Sequence, residues 1–259
     1  MRKFGPFKTN EKAEKIPVLM YHRIISEEEI DEDIHHYQGK LFDTIVTLEQ
    51  FEEQMKYLHD NNFTTLTLAE FQAFMDKKIE VPKKSVLITF DDGWKDNFAN
   101  AYPVLDKYGF KATIFLITSK IEKDPADYDP KEPQYLSQRD IIESNNVFTF
   151  ANHTHAFHER DDEGQAFLIS KDKKSIKDDL QKAIKIIGDN NAFAYPFGEY
   201  DEETMAILKE LDIPMAFTVI DQGMVHPDDN WLELSRRGVY PSTTMEIFKN
   251  LVTYDLGEK

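Results

Sequence analysis

The chain has 259 residues, 41 % of them hydrophobic and 31 % charged, with a formal net charge of −17. That is enough apolar material for one sizeable core, and the negative charge argues against nucleic acid or anionic membrane as partners. There is no cysteine, so disulfides, thiolate metal sites and cysteine nucleophiles are excluded, and any metal must be held by His, Asp, Glu or water.

Residues 1–15 are polar and lysine-rich and read as a tail or linker, leaving 16–259 as one domain. No apolar run reaches the length of about 18 residues expected of a membrane span. The opening Met1-Arg2-Lys3-Phe4-Gly5-Pro6 does not lead into an apolar stretch of signal-peptide type. The first strand candidate is Val18–Tyr21. Residues 48–59 have helical spacing, with Phe51, Met55 and Leu58 on one face. A short strand at 65–68 and a helix at 68–75 follow. Residues 86–90, Val-Leu-Ile-Thr-Phe, form an uninterrupted apolar run of the kind buried on both faces of a sheet. A helix over 98–108 ends at Gly109. Further strands are expected at 113–117, 147–150, 192–195 and 215–219. Helices are expected at 175–187, with Ser175 as N-cap, and at 202–211. A last strand at 232–239 and a helix at 244–251 close the chain. The stretch 122–133 is rich in Pro and acid and reads as a long solvated loop; its Asp124, Asp127 and Asp129 do not match a calcium loop.

Regular β-α alternation without internal repeats predicts a parallel sheet. About seven or eight such units in this length suggest a closed or nearly closed (β/α) barrel. The competing open doubly wound sheet lacks its glycine fingerprint here, and there is no G-x-x-x-x-G-K loop.

In a parallel barrel, functional side chains gather where the strands end. That rule selects His22, the pair Asp91-Asp92, the histidines His153, His155 and His158, the turn Tyr195-Pro196-Phe197, and Asp221. A bare Asp-Asp-Gly is often only a capping turn before a helix. Yet two adjacent carboxylates after a buried strand repel unless a cation intervenes. Three histidines between 153 and 158, in a chain holding 8 in all, offer ligands for one. One carboxylate and two imidazoles suit zinc and its neighbours. His155 reads as a neighbour rather than a ligand. The Tyr195-Pro196-Phe197-Gly198 turn is either a strand ended by proline or an aromatic rim for a sugar ring.

Thr89-Phe90-Asp91-Asp92-Gly93, the His153-Thr154 pair with the later His158, and Tyr195-Pro196-Phe197-Gly198 resemble, in that order, the motifs of the polysaccharide deacetylases, carbohydrate esterase family four. The resemblance runs from about Val18 to Thr243. It implies a distorted (β/α) barrel of about seven parallel strands, with Asp91 as catalytic base and Asp92, His153 and His158 holding one divalent metal, zinc foremost, with Co, Ni or Fe as alternatives. Three departures narrow it. The two ligand histidines stand five apart rather than four, Ala194 replaces an arginine before the proline turn, and no histidine follows His226. Together with Val18-Leu19-Met20-Tyr21-His22, these features resemble the poly-β-1,6-N-acetylglucosamine N-deacetylases. By that resemblance His22 is the catalytic acid, and Arg236 of Leu234-Ser235-Arg236-Arg237-Gly238 stands at the arginine of a closing element; the positive charge that the base needs and Ala194 cannot supply then assigns Arg236 to steady it, with Arg237 as its alternative. Trp94, Tyr195, Pro196 and Phe197 would line the substrate and oxyanion site. A monomeric enzyme acting outside the cell or at its surface on an N-acetylglucosamine polysaccharide is the implied function, with a protein that stays inside the cell as the alternative location. Peptidoglycan or chitooligosaccharide deacetylation, a non-catalytic carbohydrate-binding role, and metal-dependent phosphoesterase chemistry are the alternatives.

Overall fold

The computed structural model describes Phe7 and residues 11–253. Among these, seven parallel strands form the continuous path of one sheet, β1 (Val18–Tyr21), β2 (Ser85–Phe90), β3 (Ala112–Leu116), β4 (Phe148–Asn152), β5 (Phe193–Ala194), β6 (Ala216–Phe217) and β7 (Arg237–Gly238), in the order β6-β5-β4-β3-β2-β1-β7, and the short Thr64–Thr65 strand pairs off that path with the start of β2. The two edges meet through a single segment. Leu234 bonds to β6, its N–H donating to Ala216 and its carbonyl accepting from Thr218, while three residues later Arg237 is in register with Leu19 of β1. The result is a distorted (β/α) barrel of seven parallel strands.

Among the described residues, seven helices of six residues or more surround it: α1 (Leu48–Asp60), α2 (Leu68–Met75), α3 (Tyr102–Tyr108), α4 (Gln138–Glu143), α5 (Lys173–Ile187), α6 (Glu202–Glu210) and α7 (Met245–Thr253). Three of them begin with reciprocal capping boxes, Thr47 with Gln50, Thr67 with Glu70 and Ser137 with Asp140, which satisfy amide groups that a first turn leaves bare. α3 and α5 end on Gly109 and Gly188 in the left-handed conformation, where glycine carries no steric penalty.

Strand alternation sorts the apolar residues into two layers. Val18, Leu87, Phe115, Ala151, Ala194 and Phe217 pack into one cluster with Phe71, Phe74 and Met75 of α2. Their neighbours Leu19, Tyr21, Val86, Ile88, Phe90 and Ile114 pack into another with α1, α3 and α7. Phe193 and Tyr195 join a third with Leu180, Ile207 and Leu208 of α5 and α6.

Several elements differ from the sequence expectation. The strand expected at 65–68 is only Thr64–Thr65, because Thr67 is already the N-cap of α2. The last strand is only Arg237–Gly238, since the chain from 232 is crossing between barrel edges. Ser175 is not the N-cap of α5: Asp172 caps it, and Ser175 supplies the N–H that Asp172 accepts. A π turn at Asn97–Ala101 precedes α3. Of the segment read as a tail, Ala13 donates to the Val81 carbonyl; residues 1–6 and 8–10 lie outside the described residues.

Candidate active site

On β2 the side chains of Leu87 and Thr89 face the barrel interior, and the same alternation carries Asp91 inward. It is 2 % exposed. Arg236, wholly buried, meets it in a two-point fork, Nη1 to Oδ1 at 2.6 Å and Nη2 to Oδ2 at 2.7 Å. The guanidinium is itself fixed, its Nε donating to the Thr218 carbonyl and Nη1 reaching Thr89 Oγ1. Burial is the largest single influence and pushes the Asp91 carboxyl up, but the Arg236 charge, His153, the fork itself and His22 together outweigh it. The group is held below the ordinary carboxylate range. Arg237, one step along, points out of the barrel: it pairs with Asp221 at 3.2 Å and donates to the Leu251 carbonyl near the end of α7.

Asp92 and Gly93 both take positive φ, 73° and 81°. A Cβ at Gly93 would stand 2.6 Å from Leu116 Cδ2, so the sharp turn that sets the two carboxylates at different angles needs glycine there. Asp92 Oδ1 lies 3.5 Å from His153 Nε2 and 3.4 Å from His158 Nε2, and the three donor atoms fall within 4.8 Å of one another. Ligands about 2.0–2.1 Å from a tetrahedral centre are spaced about 3.4 Å apart. Asp92 Oδ1 is buried without a hydrogen-bond partner, which is costly unless a cation satisfies it. His153 Nδ1 sits 2.8 Å from the Ala194 carbonyl, so its Nδ1–H donates there and Nε2 keeps its lone pair for a ligand role. Burial and the neighbouring His153 press the His158 imidazole down to about 4, which keeps it neutral. The residues present fit a divalent cation.

His155 is turned away, its Nδ1 against Thr118 Oγ1 at 3.0 Å. The reason is the loop's anchor: Asp179 of α5 accepts from the backbone N–H groups of both His155 and Ala156 at 2.8 Å. We therefore expect His153→Ala or His158→Ala to lose most bound metal and His155→Ala to keep it. Elemental analysis of the purified variants decides this; an empty His155→Ala site beside a loaded His158→Ala site would overturn the ligand set.

The turn after β5 divides. Tyr195 is fully buried, its hydroxyl donating to the Leu232 carbonyl and its ring stacked on Tyr200 at 4.3 Å. Its side chain therefore cannot line a sugar site; strand alternation turned it toward the helices. Pro196 is buried too. Phe197 alone reaches solvent, 38 % exposed, at φ 59° and with its ring 4.4 Å from that of His158. Trp94 also departs from a simple sugar platform. Tyr135 stacks on its ring at 4.5 Å and the Arg23 guanidinium lies over it at 4.7 Å.

His22 Nε2 stands 3.9 Å from Asp91 Oδ2, with its side chain 22 % exposed. Its backbone is held by residues not singled out from the sequence. Asn97 donates to the His22 carbonyl, and buried Asp96 accepts from Ile24 N–H and pairs with Arg23. Asp96, Asn97 and Asp179 are missed because single polar residues on helices carry no motif. The one hint was their burial-prone spacing among apolar residues.

At its strand ends the barrel gathers a charge-paired buried aspartate, a flanking histidine and an Asp-His-His set that could hold a metal ion, the kind of grouping found in hydrolase sites. The chain belongs to the polysaccharide deacetylase family, whose sequence model matches residues 78–216. It is 31 % identical over 238 residues to YxkH of Bacillus subtilis, a protein named for polysaccharide deacetylase, covering 92 % of this chain and 76 % of that one. The poly-β-1,6-N-acetyl-D-glucosamine N-deacetylase of Staphylococcus aureus is 28 % identical over 236 residues, 87 % of this chain and 79 % of its own. Among solved structures, the Streptococcus pyogenes deacetylase PplD in complex with acetate superposes with a TM-score of 0.73 at 26 % identity, covering 92 % of this chain and 98 % of that one.

Proposed function

We propose that this enzyme hydrolyses the acetamide of N-acetylglucosamine units in a polysaccharide, the poly-β-1,6-linked polymer first, releasing acetate and leaving a free amine. The carrying observation is the Asp91–Arg236 fork set beside the Asp92-His153-His158 donor set, with His22 across from the fork. The β-1,6 preference is supported by the Staphylococcus aureus relative.

Asp92, His153 and His158 would hold the metal, zinc foremost. A divalent ion bound there polarises the acetyl carbonyl and makes water a nucleophile at neutral pH. Asp91, its charge maintained by Arg236, accepts the proton of the attacking water; each carboxylate oxygen keeps a lone pair beyond the fork. The Phe197 backbone N–H, presented by the left-handed turn, donates to the developing oxyanion. His22 gives its proton to the departing nitrogen. No described helix is long and apolar enough to cross a membrane, and a surface or extracellular location goes with a polymeric substrate.

Acetate release measured across β-1,6- and β-1,4-linked N-acetylglucosamine oligomers tests the reading. Faster turnover of the β-1,6 series is expected; preference for the β-1,4 series, or no release from either, would sink the substrate assignment. For the acid, His22→Ala should fold, keep its metal and lose roughly 10²–10⁴-fold in rate on acetamides. It should lose far less on an activated aryl acetate, whose leaving group needs no proton. Equal loss on both substrates would make His22 structural.

A further inference from the structure

The indole of Trp94 has one polar atom, and it is spent on the donor set: Nε1–H donates to Asp92 Oδ2 at 2.9 Å. The other oxygen of that carboxylate, Oδ1, is the one aimed at both histidines and left without a hydrogen-bond partner. The ring is held by more than one loop. Arg23, just beyond β1, lies over it and is itself fixed by Asp96 at 2.9 Å. Tyr135, from the loop that follows β3, stacks on it with an interplanar angle of 21°, and the Lys120 ammonium lies 5.8 Å from the Tyr135 centroid. Backbone pairing locks the register, Lys95 N–H to the Gln134 carbonyl and Leu136 N–H to the Gly93 carbonyl. With a phenol stacked on it and a guanidinium over it, the indole offers a sugar little free face.

We infer that Trp94 is a positioning residue for the metal centre: its N–H engages Asp92 Oδ2 so that Oδ1 alone serves as ligand, and the Arg23-Trp94-Tyr135 stack fixes that choice. The physical reason is that a carboxylate free to rotate could turn either oxygen inward or bind through both, and a single outer hydrogen bond removes that freedom. This rests on the metal reading of Asp92, His153 and His158.

The test replaces the N–H and little else. Trp94→Phe, and benzothienylalanine at position 94, which keeps the bicyclic shape with sulfur in place of N–H, are titrated with zinc against a competing chelator. Both should bind zinc about 10–100-fold more weakly than the parent chain, the usual effect of removing an outer-shell partner. The metal-free proteins should unfold at the denaturant midpoint of the metal-free parent. Zinc affinity equal to the parent's in the benzothienylalanine protein overturns the inference. A raised KM for substrate at unchanged zinc affinity also overturns it, in favour of a sugar-contacting role. A parent chain that binds no zinc would instead bring down the metal reading itself, so the two failures are distinguishable.

Discussion

Asp91→Asn should retain its metal and lose roughly 10²–10⁴-fold in acetate release, whereas Asp92→Asn should lose metal and activity together. The adjacent carboxylates are separated by the turn at φ 73° and 81°, which sends Asp91 to Arg236 and Asp92 to the histidines. An amide at 91 keeps the shape and one acceptor for the fork, but its nitrogen cannot take a proton from water. An amide at 92 puts a weaker, neutral donor where a buried carboxylate oxygen stands without a hydrogen-bond partner. Kinetics and elemental analysis on the same preparations separate the cases, and equal metal loss in both variants would refute the division of roles.

Arg236→Met should destabilise the fold by about 3–5 kcal/mol, because it leaves the Asp91 carboxylate buried and uncompensated. That is a large share of the roughly 5–15 kcal/mol that holds a typical domain folded. The double variant Asp91→Asn/Arg236→Met removes both charges and should recover much of the loss, since the two side chains act as a coupled pair. Arg237→Met should cost less: its partner Asp221 has a third of its side chain exposed, so the charge it leaves behind is still hydrated. Denaturant midpoints of the four proteins decide this. A single Arg236→Met variant as stable as the parent would show that the fork contributes little.

Much of the site was legible because it lies at strand ends of a repeating βα pattern, where local chemistry and position coincide. The acid pair after an apolar strand, three histidines after another, and a proline turn after a third identify the family and the donor set without coordinates. Alternation along residues 85–91 already implied that Asp91 shares a face with Leu87 and Thr89. The same rule, applied to 193–195, would have turned Tyr195 away from the site and into the helix layer. Strand lengths and caps were less legible. Thr67 and Asp172 act through bonds to amides two or three residues on, and those bonds override the hydrophobic pattern at element ends.

What the sequence by itself determined, then, is the barrel and the inventory of chemical groups, since periodicity and short motifs are local properties of the chain. The tertiary structure alone decided which arginine pairs with Asp91, Arg236 facing in and Arg237 facing out, because that choice depends on how the segment 234–238 crosses from one barrel edge to the other. It also decided that Asp179 anchors the histidine loop and that Arg23, Trp94 and Tyr135 come together behind Asp92. These contacts join residues from 24 to more than 70 positions apart, and no local pattern records a contact that exists only once the strands have closed.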